Sequence, residues 1–590
     1  VETLREKDTV GTLFWVMDQT KTPMGKRLLR KWMENPLVSA RDIATRHAAV
    51  AEFVRHPARR GDMRMALAKI ADIERLCGKL IYWRVSARDF VALRDSIAAI
   101  ADVKRLLGGF EAALNTYFWD NLDILEDVHS KIREAIAETP LSDSGEAGIF
   151  AEGHNAELDA ARALKNQLLT ALENFERAEK QATGIRGLKV GHNKVFGYYI
   201  EVPGSQRDAA PAHYQRKQTL SNCERFVTAE LVKLQDNILT STDSIMNIEQ
   251  ALWSRFRKEI ALEVPRLQMA AHMLATIDVL QSMAEIADNY NYVCPQMTPG
   301  GAIDIREGRH PVVERLSPEC FVANDTYLDD ADNKIAIITG PNMAGKSTFL
   351  RQVALICIMA QMGSFVPAAS AKLPIFDRVF TRVGAADDLA RGQSTFMVEM
   401  TETANILANA THRSLVILDE IGRGTGTVDG FSIALSVVEY ISTGISAKTL
   451  FATHYHEMTA AEGKVPGVRN YRMQVREDGE NITFLHKVVP GGADKSYGIF
   501  VAKLAGLPDA VILRSMQIQH QLETGSIFDD SAASDEKIDL EAINKELRNI
   551  NRMFLEEFGA YDEDKLTPEE AIFKIRKVKD AMGKLEGLWP

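Results

Sequence analysis

No stretch of about 18 apolar residues occurs in the 590-residue chain, so no membrane-spanning helix is expected. The opening Val1-Glu2-Thr3-Leu4-Arg5-Glu6-Lys7-Asp8 has no apolar signal-peptide core and no initiator Met, which suggests a fragment. Cysteine is scarce: Cys77, Cys223, Cys294, Cys320 and Cys357 are scattered, and no two form C-x-x-C. A disulfide framework or a zinc site is therefore not expected, and a reducing cytoplasm fits. No period of 20–50 residues is visible, which argues against a solenoid. Positive charge is not in excess either. Lys plus Arg number 70 against 81 Asp plus Glu, so the net charge is −11 and bulk attraction to nucleic acid is not expected.

What is present is ordinary globular composition, 46% apolar and 26% charged, which excludes a largely disordered or collagen-like chain. A mass of 65.6 kDa means several domains. Charge is unevenly spread. Residues 184–225 carry seven basic against three acidic side chains, and residues 521–590 carry ten against seventeen. A local basic patch can still bind phosphates.

Residues 1–135 read as mostly helical, with Arg27–Met33 amphipathic and closed by Pro36. Residues 138–148 form a turn-rich linker. A long helix follows from about Ala156 to Lys180, with Leu164, Leu168, Leu172 and Phe175 at helical spacing. The period then shortens. Leu188–Val202 is rich in β-branched and aromatic residues and reads as a hairpin. A second long helix is expected from about Phe226 to Glu263. Two antiparallel arms with a basic tip, or a plain helical domain with a hairpin excursion, both fit this order. From Ala302 strands alternate with helices: Lys334–Thr339, Leu415–Leu418 and Thr449–Ala452 are short apolar strands, the pattern of a parallel α/β sheet. The last seventy residues are acidic and begin with a flexible-looking stretch from Thr524 to Glu536.

Between the first of these strands and a helix lies Gly340-Pro341-Asn342-Met343-Ala344-Gly345-Lys346-Ser347-Thr348, a match to G-x-x-x-x-G-K-[ST]. Glycines let backbone N–H groups approach phosphates, and the helix start adds positive potential. Lys346 would reach the β- and γ-phosphates, and Ser347 would ligate Mg²⁺. The strand Leu415–Leu418 ends in Asp419 and Glu420. Alone, such a pair is more often a solvated strand end. With a phosphate loop upstream, Asp419 would hold Mg²⁺ and Glu420 would polarise the attacking water. His454 follows the strand Thr449–Ala452, at the sheet edge where ligands bind, and could face the γ-phosphate. His456 two residues on raises a metal-site reading, discounted because no cysteine or third His is near in sequence. Ser394 or Thr395 would cap the helix running to about Ala410, a potential anion site for this chain or for a partner's nucleotide.

Gly340–Thr348, Ser394–Met400, Leu418-Asp419-Glu420-Ile421-Gly422-Arg423-Gly424-Thr425 and Phe451–Glu457 occur together and in this order. As a set they resemble the MutS family of DNA mismatch repair ATPases, in its bacterial form. Thr22–Leu29 resembles the family's core segment, Leu188–Ile200 its clamp, and Glu307–Pro311 the opening of its ATPase domain. The resemblance implies an α/β plus all-α chain: an ABC-type P-loop ATPase domain joined to a long helical lever and core domain carrying a small β-rich clamp. It divides the chain into helical core and lever (1–155), a lever helix (156–183), the clamp (184–225) and a returning lever helix with core (226–290). The ATPase domain (291–520) follows, with a helix-turn-helix dimer element at about 493–520, then an acidic oligomerisation tail (521–590).

The resemblance further implies ATP and Mg²⁺ as ligands and a homodimer, or a tetramer, with head-to-tail ATPase domains. Ser394 would act in trans on the neighbour's γ-phosphate, and Asn342 would touch the γ-phosphate in cis. Phe321 and His486 would flank the adenine. A MutL-type partner and a bacterial cytoplasmic location are implied as well. Double-stranded DNA would be gripped by its backbone, with Lys194, Arg216 and Lys217 of the basic insert as candidate contacts.

Two departures stand out. The family's mismatch-reading module uses a Phe-x-Glu pair near its N-terminus. Here Phe150-Ala151-Glu152 sits by a linker and Phe554-Leu555-Glu556 in the acidic tail, so mismatch stacking is not expected of this chain. Gly426 and Val428 stand where many members have Ser and an aromatic. The alternative is a MutS-like paralogue acting as an ATP-gated recombination factor or nuclease. The nuclease form would lack the clamp and carry a further C-terminal domain.

Overall fold

The computed structural model describes residues 10–141, 148–193, 195–317, 321–341, 344–383, 395–478, 481–492 and 497–524. The chain forms two units, residues 1–498 and 499–590.

The first unit begins with a run of helices from Leu13–Met17 to Glu126–Ala135. They pack around the helix Val264–Asn289, which buries Leu267, Ala271, Leu274, Ile277 and Leu280 on all sides. A helix apolar all round belongs at the centre of a bundle. It also carries the buried Asp278, whose carboxylate accepts from the backbone N–H groups of Lys21 and Thr22 and from the Thr22 hydroxyl. Thr22 in turn caps the amphipathic helix Pro23–Glu34. One buried carboxylate thus fixes where this helix starts, as N-capping requires.

Two long helices leave this body. Ala156–Thr183 runs out and Ala229–Ala261 returns. They are antiparallel neighbours: Leu172 and Phe175 of the first share a core with Leu231 and Ile238 of the second. At the other end Arg162 pairs with the fully buried Glu249 at 2.6 Å. The returning helix starts at Ala229 rather than near Phe226, because Cys223–Val227 is taken up by a sheet. That sheet has four antiparallel strands in the order Lys189–Asn193, Gly197–Pro203, Cys223–Val227, Gln215–Thr219. The first two make the hairpin that the sequence pattern suggests. The second pair supplies a larger platform, with Ile200, Val202 and Phe226 turned onto the ends of the long helices.

The third region of this unit is layered α/β. Its main sheet runs Val379–Arg382, Leu415–Asp419, Lys448–Ala452, Ile335–Thr339, Val468–Asp478, Asn481–Pro490. The first five strands are parallel and the last is antiparallel. Three of them, Ile335–Thr339, Leu415–Asp419 and Lys448–Ala452, are buried throughout. Strands covered on both faces read as continuous apolar runs, and these do. A smaller sheet orders Gln296–Thr298, Ser370–Pro374, Ile303–Gly308 and Asn324–Leu328. The segment Thr427–Ile445 is long and apolar enough to cross a membrane by composition. Here Ala434, Val437, Val438 and Ile441 pack against the main sheet's core instead.

In the second unit, residues 499–524 are described and end in the helix Asp509–Thr524. Of the helix-turn-helix element expected at about 493–520, the helices Gly498–Leu504 and Asp509–Thr524 are described and residues 493–496 lie outside the described residues. Thr524, expected to open a flexible stretch, ends the second helix, and residues 525–590 of the acidic tail lie outside the described residues.

Candidate active site and nucleic-acid interface

The strand Ile335–Thr339 ends in Gly340, and the helix Lys346–Met362 begins six residues later. Gly340 (φ +139°) and the helix's N-cap Gly345 (φ +100°) adopt backbone conformations that L side chains rarely take. A Cβ on Gly340 would also meet Met473 at 2.9 Å. The glycines are therefore required by the turn itself. Lys346 is only 4% exposed, and its Nζ donates to the carbonyls of Gly340 (2.5 Å) and Pro341 (3.2 Å). Burial pushes its pKa down, while Glu420 and Asp419 nearby oppose that shift. Asn342 and Met343 lie outside the described residues.

Asp419 closes the neighbouring buried strand and is 7% exposed. The Ser347 hydroxyl lies near its carboxylate. The Asp419 Oδ1 atom is buried with no hydrogen-bond partner. Burial raises its pKa, and the Ser347 hydroxyl opposes the rise. A buried carboxylate oxygen left unpaired beside a hydroxyl is costly unless something cationic meets it. Two hard oxygen donors side by side suit a small divalent cation such as Mg²⁺.

Glu420 has a positive φ of +54°. Its N–H is held by the Ala452 carbonyl at 2.9 Å, and its carboxylate meets Arg423 at 2.5 Å. Turning the backbone left-handed here sends Glu420 off the strand direction that Asp419 follows. The strain is of the kind that concentrates at functional sites. His454 follows the adjacent strand Lys448–Ala452, with its ring 4.2 Å from that of Tyr455. Its Nδ1 is buried and unpartnered, and burial lowers its pKa while Glu420 opposes the shift. The parallel register Leu418 to Phe451 and Ala452 to Ile338 brings the three strand ends together. Lys346, Ser347, Asp419, Glu420 and His454 thereby share one sheet edge.

A cleft of about 260 Å³ lies beside the loop, lined by Phe321, Val322, Asn324, Gly345, Thr348, Phe349, Gln352 and His486 among others. His486 sits at φ +51° and its Nδ1 donates to the Ala344 carbonyl at 3.0 Å. Asn324 anchors the same strand, donating to the His486 carbonyl and accepting from the Val488 N–H. The resemblance pairs Phe321 with His486, and the structure adds Asn324 and Gln352 to the same cleft. Gln352 is six residues after Lys346 on an apolar helix, and an interior amide there is the one signal available.

Ser394 lies outside the described residues, one position before the helix Thr395–Asn409. That helix carries a buried Glu399, also missed, which accepts from the Gly422 N–H and pairs with Arg382.

The clamp candidates differ among themselves. Lys194 lies outside the described residues. Lys217 is exposed. Arg216 is also largely exposed but pairs with the buried Glu224 at 3.0 Å. Arg225, unremarked in the sequence, pairs with Glu201 and stacks over Tyr199. Phe150, of the first Phe-x-Glu triplet, is 2% exposed and stacked on His154, so its ring is committed to the core. Phe554 lies outside the described residues.

Residues 1–284 match the family described as MutS domain III, and residues 336–523 the one described as MutS domain V. The chain is 49% identical to the DNA mismatch repair protein MutS of Acetivibrio thermocellus, over 97% of this chain and 66% of the relative. It is 51% identical to the protein of that name from Lachnoclostridium phytofermentans, over 89% and 57%. For that of Ruminiclostridium cellulolyticum the identity is 48%, over 99% and 68%. The chain thus spans roughly two thirds or less of the length of these relatives.

Proposed function

The chain belongs to the MutS family, and from that premise we propose that it is an ATP-dependent DNA clamp: an ABC-type P-loop ATPase that hydrolyses ATP in sites shared between two protomers. The single observation that carries the ATPase reading is the buried Asp419 carboxylate at the strand end near Lys346 and Ser347, its Oδ1 without a hydrogen-bond partner.

Lys346 and the backbone N–H groups of the loop between Gly340 and Thr348, Pro341 having none, would hold the β- and γ-phosphates, and Asn342 would touch the γ-phosphate. Ser347 and Asp419 would hold Mg²⁺, which when bound neutralises charge on the phosphate oxygens. Phe321 and His486 would flank the adenine in the adjoining cleft. Glu420 would accept a hydrogen bond from the attacking water and hold it in line with the γ-phosphorus. Its present partner Arg423 is largely exposed and free to swing away. His454, kept neutral by burial, would donate to a γ-oxygen as charge builds there. Ser394 of a second protomer would complete the site.

Hydrolysis would then report on dimer closure, and the two long helices would carry the motion to the clamp. There Lys194, Arg216 and Lys217 would touch DNA phosphates without reading sequence. A homodimer, double-stranded DNA and a MutL-type protein are the partners this reading expects. The four-stranded clamp sheet favours it over the nuclease paralogue, which would lack one.

The test is to mix Lys346→Ala with Ser394→Ala. Each alone should lose ATP turnover by about a hundredfold or more. At equal mixing with subunit exchange, half the dimers pair the two variants and keep one intact site of two. About a quarter of wild-type turnover should return. No recovery at any ratio, with exchange shown by fluorescence transfer, would remove the shared site.

A further inference from the structure

Glu420 stands on a loop that the main sheet alone does not fix. Two residues on, Gly422 is held from both sides of its peptide. Its N–H donates to Glu399 Oε1 at 2.5 Å, and its carbonyl accepts from the Tyr455 hydroxyl at 2.9 Å. Gly422 has φ +87°, and a Cβ there would meet the Gly430 carbonyl oxygen at 2.5 Å. The peptide can therefore neither rotate freely nor accept another residue. Glu399 is 5% exposed, and its second oxygen faces Arg382 at 3.2 Å. The carboxylate is thus locked by an ion pair on one side while it grips the loop with the other. A second contact follows from the same helix: a Cβ on Gly424 would meet Phe396 at 2.9 Å, so the loop lies directly on the helix's first turn.

We infer that Glu399 is a positioning residue for Glu420: through the Gly422 peptide it ties the Glu420 loop to the helix Thr395–Asn409, so the two move as one body. The inference rests on the ATPase reading above. The start of that helix is next to Ser394, which is proposed to reach the partner's nucleotide. Whatever seats the helix against a second protomer therefore also aims Glu420 in its own site. One carboxylate joins the half-site offered to the neighbour with the half-site kept at home.

The test compares Glu399→Leu, Glu399→Gln and Tyr455→Phe in the full chain. Glu399→Leu leaves the Gly422 N–H buried without an acceptor and should lower kcat by about tenfold or more. Glu399→Gln keeps an acceptor oxygen and should stay within about threefold of wild type. Tyr455→Phe keeps the ring, loses the carbonyl anchor and should lower kcat severalfold. In all three the Kd for a non-hydrolysable ATP analogue should hold within about twofold, because the phosphate loop is untouched. Added to Glu420→Ala, Glu399→Leu should slow single-turnover cleavage no further, since it acts only through Glu420. An undiminished loss on that background would overturn the inference, as would Kd and kcat falling together. If Glu399→Leu does not fold, Tyr455→Phe with unchanged kcat overturns it equally. A wild-type chain that binds no ATP would instead remove the reading beneath it.

Discussion

The site around Lys346 and the four-stranded sheet at the ends of the long helices are both proposed to meet phosphates, yet they are made in opposite ways. The first is buried and leaves polar atoms without partners: Asp419 Oδ1 and His454 Nδ1. The clamp is exposed, and two of its cations are matched to the chain's own carboxylates, Arg216 to Glu224 and Arg225 to Glu201. An unpaired buried carboxylate oxygen is expensive, and at Asp419 it lies near Lys346 and the Ser347 hydroxyl, a setting that suits a bound cation. A surface cation costs nothing to leave in water, so its presence argues for little by itself.

The largest effect that would break this contrast is at Glu420. Glu420→Ala should keep ATP affinity near wild type and lower turnover by about a hundredfold or more, read by equilibrium binding and phosphate release. Turnover near wild type would mean that the buried site is not the reacting one.

The seam between the helical body and the α/β region offers a third case, buried like the first. His47 Nε2 donates to the Ala360 carbonyl of the phosphate-loop helix at 3.0 Å, and burial pushes its pKa down to about 4 from 6.5. Above pH 6.5 folded and unfolded chains both hold it neutral, and its contribution to stability is complete. As pH falls from 6.5 toward 4 the unfolded chain gains a proton that the folded chain refuses. Stability should fall by about 1.4 kcal/mol per pH unit from this residue. His47→Gln, which can still donate to that carbonyl, should flatten the fall, seen as melting temperature against pH. Equal slopes for the two proteins would show that His47 is not held neutral.

The smallest effects are at the clamp. Lys217→Ala should weaken duplex DNA binding severalfold and reduce the slope of log affinity against log salt by about one. Arg216→Ala should cost less, because Glu224 already engages that charge. Fluorescence anisotropy across a salt series measures both. A larger loss at Arg216 than at Lys217 would mean that internal pairing does not silence a surface cation.

The two regions were also unequally legible. The loop Gly340–Thr348, the strand end Asp419-Glu420 and His454 could be read from residues alone, because each is a local pattern with a fixed chemical meaning. The two long helices were legible from period. The second pair of clamp strands was not, since Gln215–Thr219 is exposed and lacks an apolar alternation to betray it. The second long helix starts three residues after Phe226 because pairing with neighbouring strands, not local preference, claims Cys223–Val227. Glu399 was hidden because a glutamate in a helix is ordinary until its burial is known.

Sequence by itself determined where the glycine turn and the lysine at a helix start fall, and so which residues are candidates to touch a phosphate, because that pattern is local. Only the tertiary structure decided which carboxylate waits unpaired, which is bound to a neighbour, and which steers a loop. Those are matters of distance and of water excluded, and residues far apart in the chain, such as Ser347 and Asp419 or Glu399 and Gly422, acquire them only when strands from separate segments lie side by side.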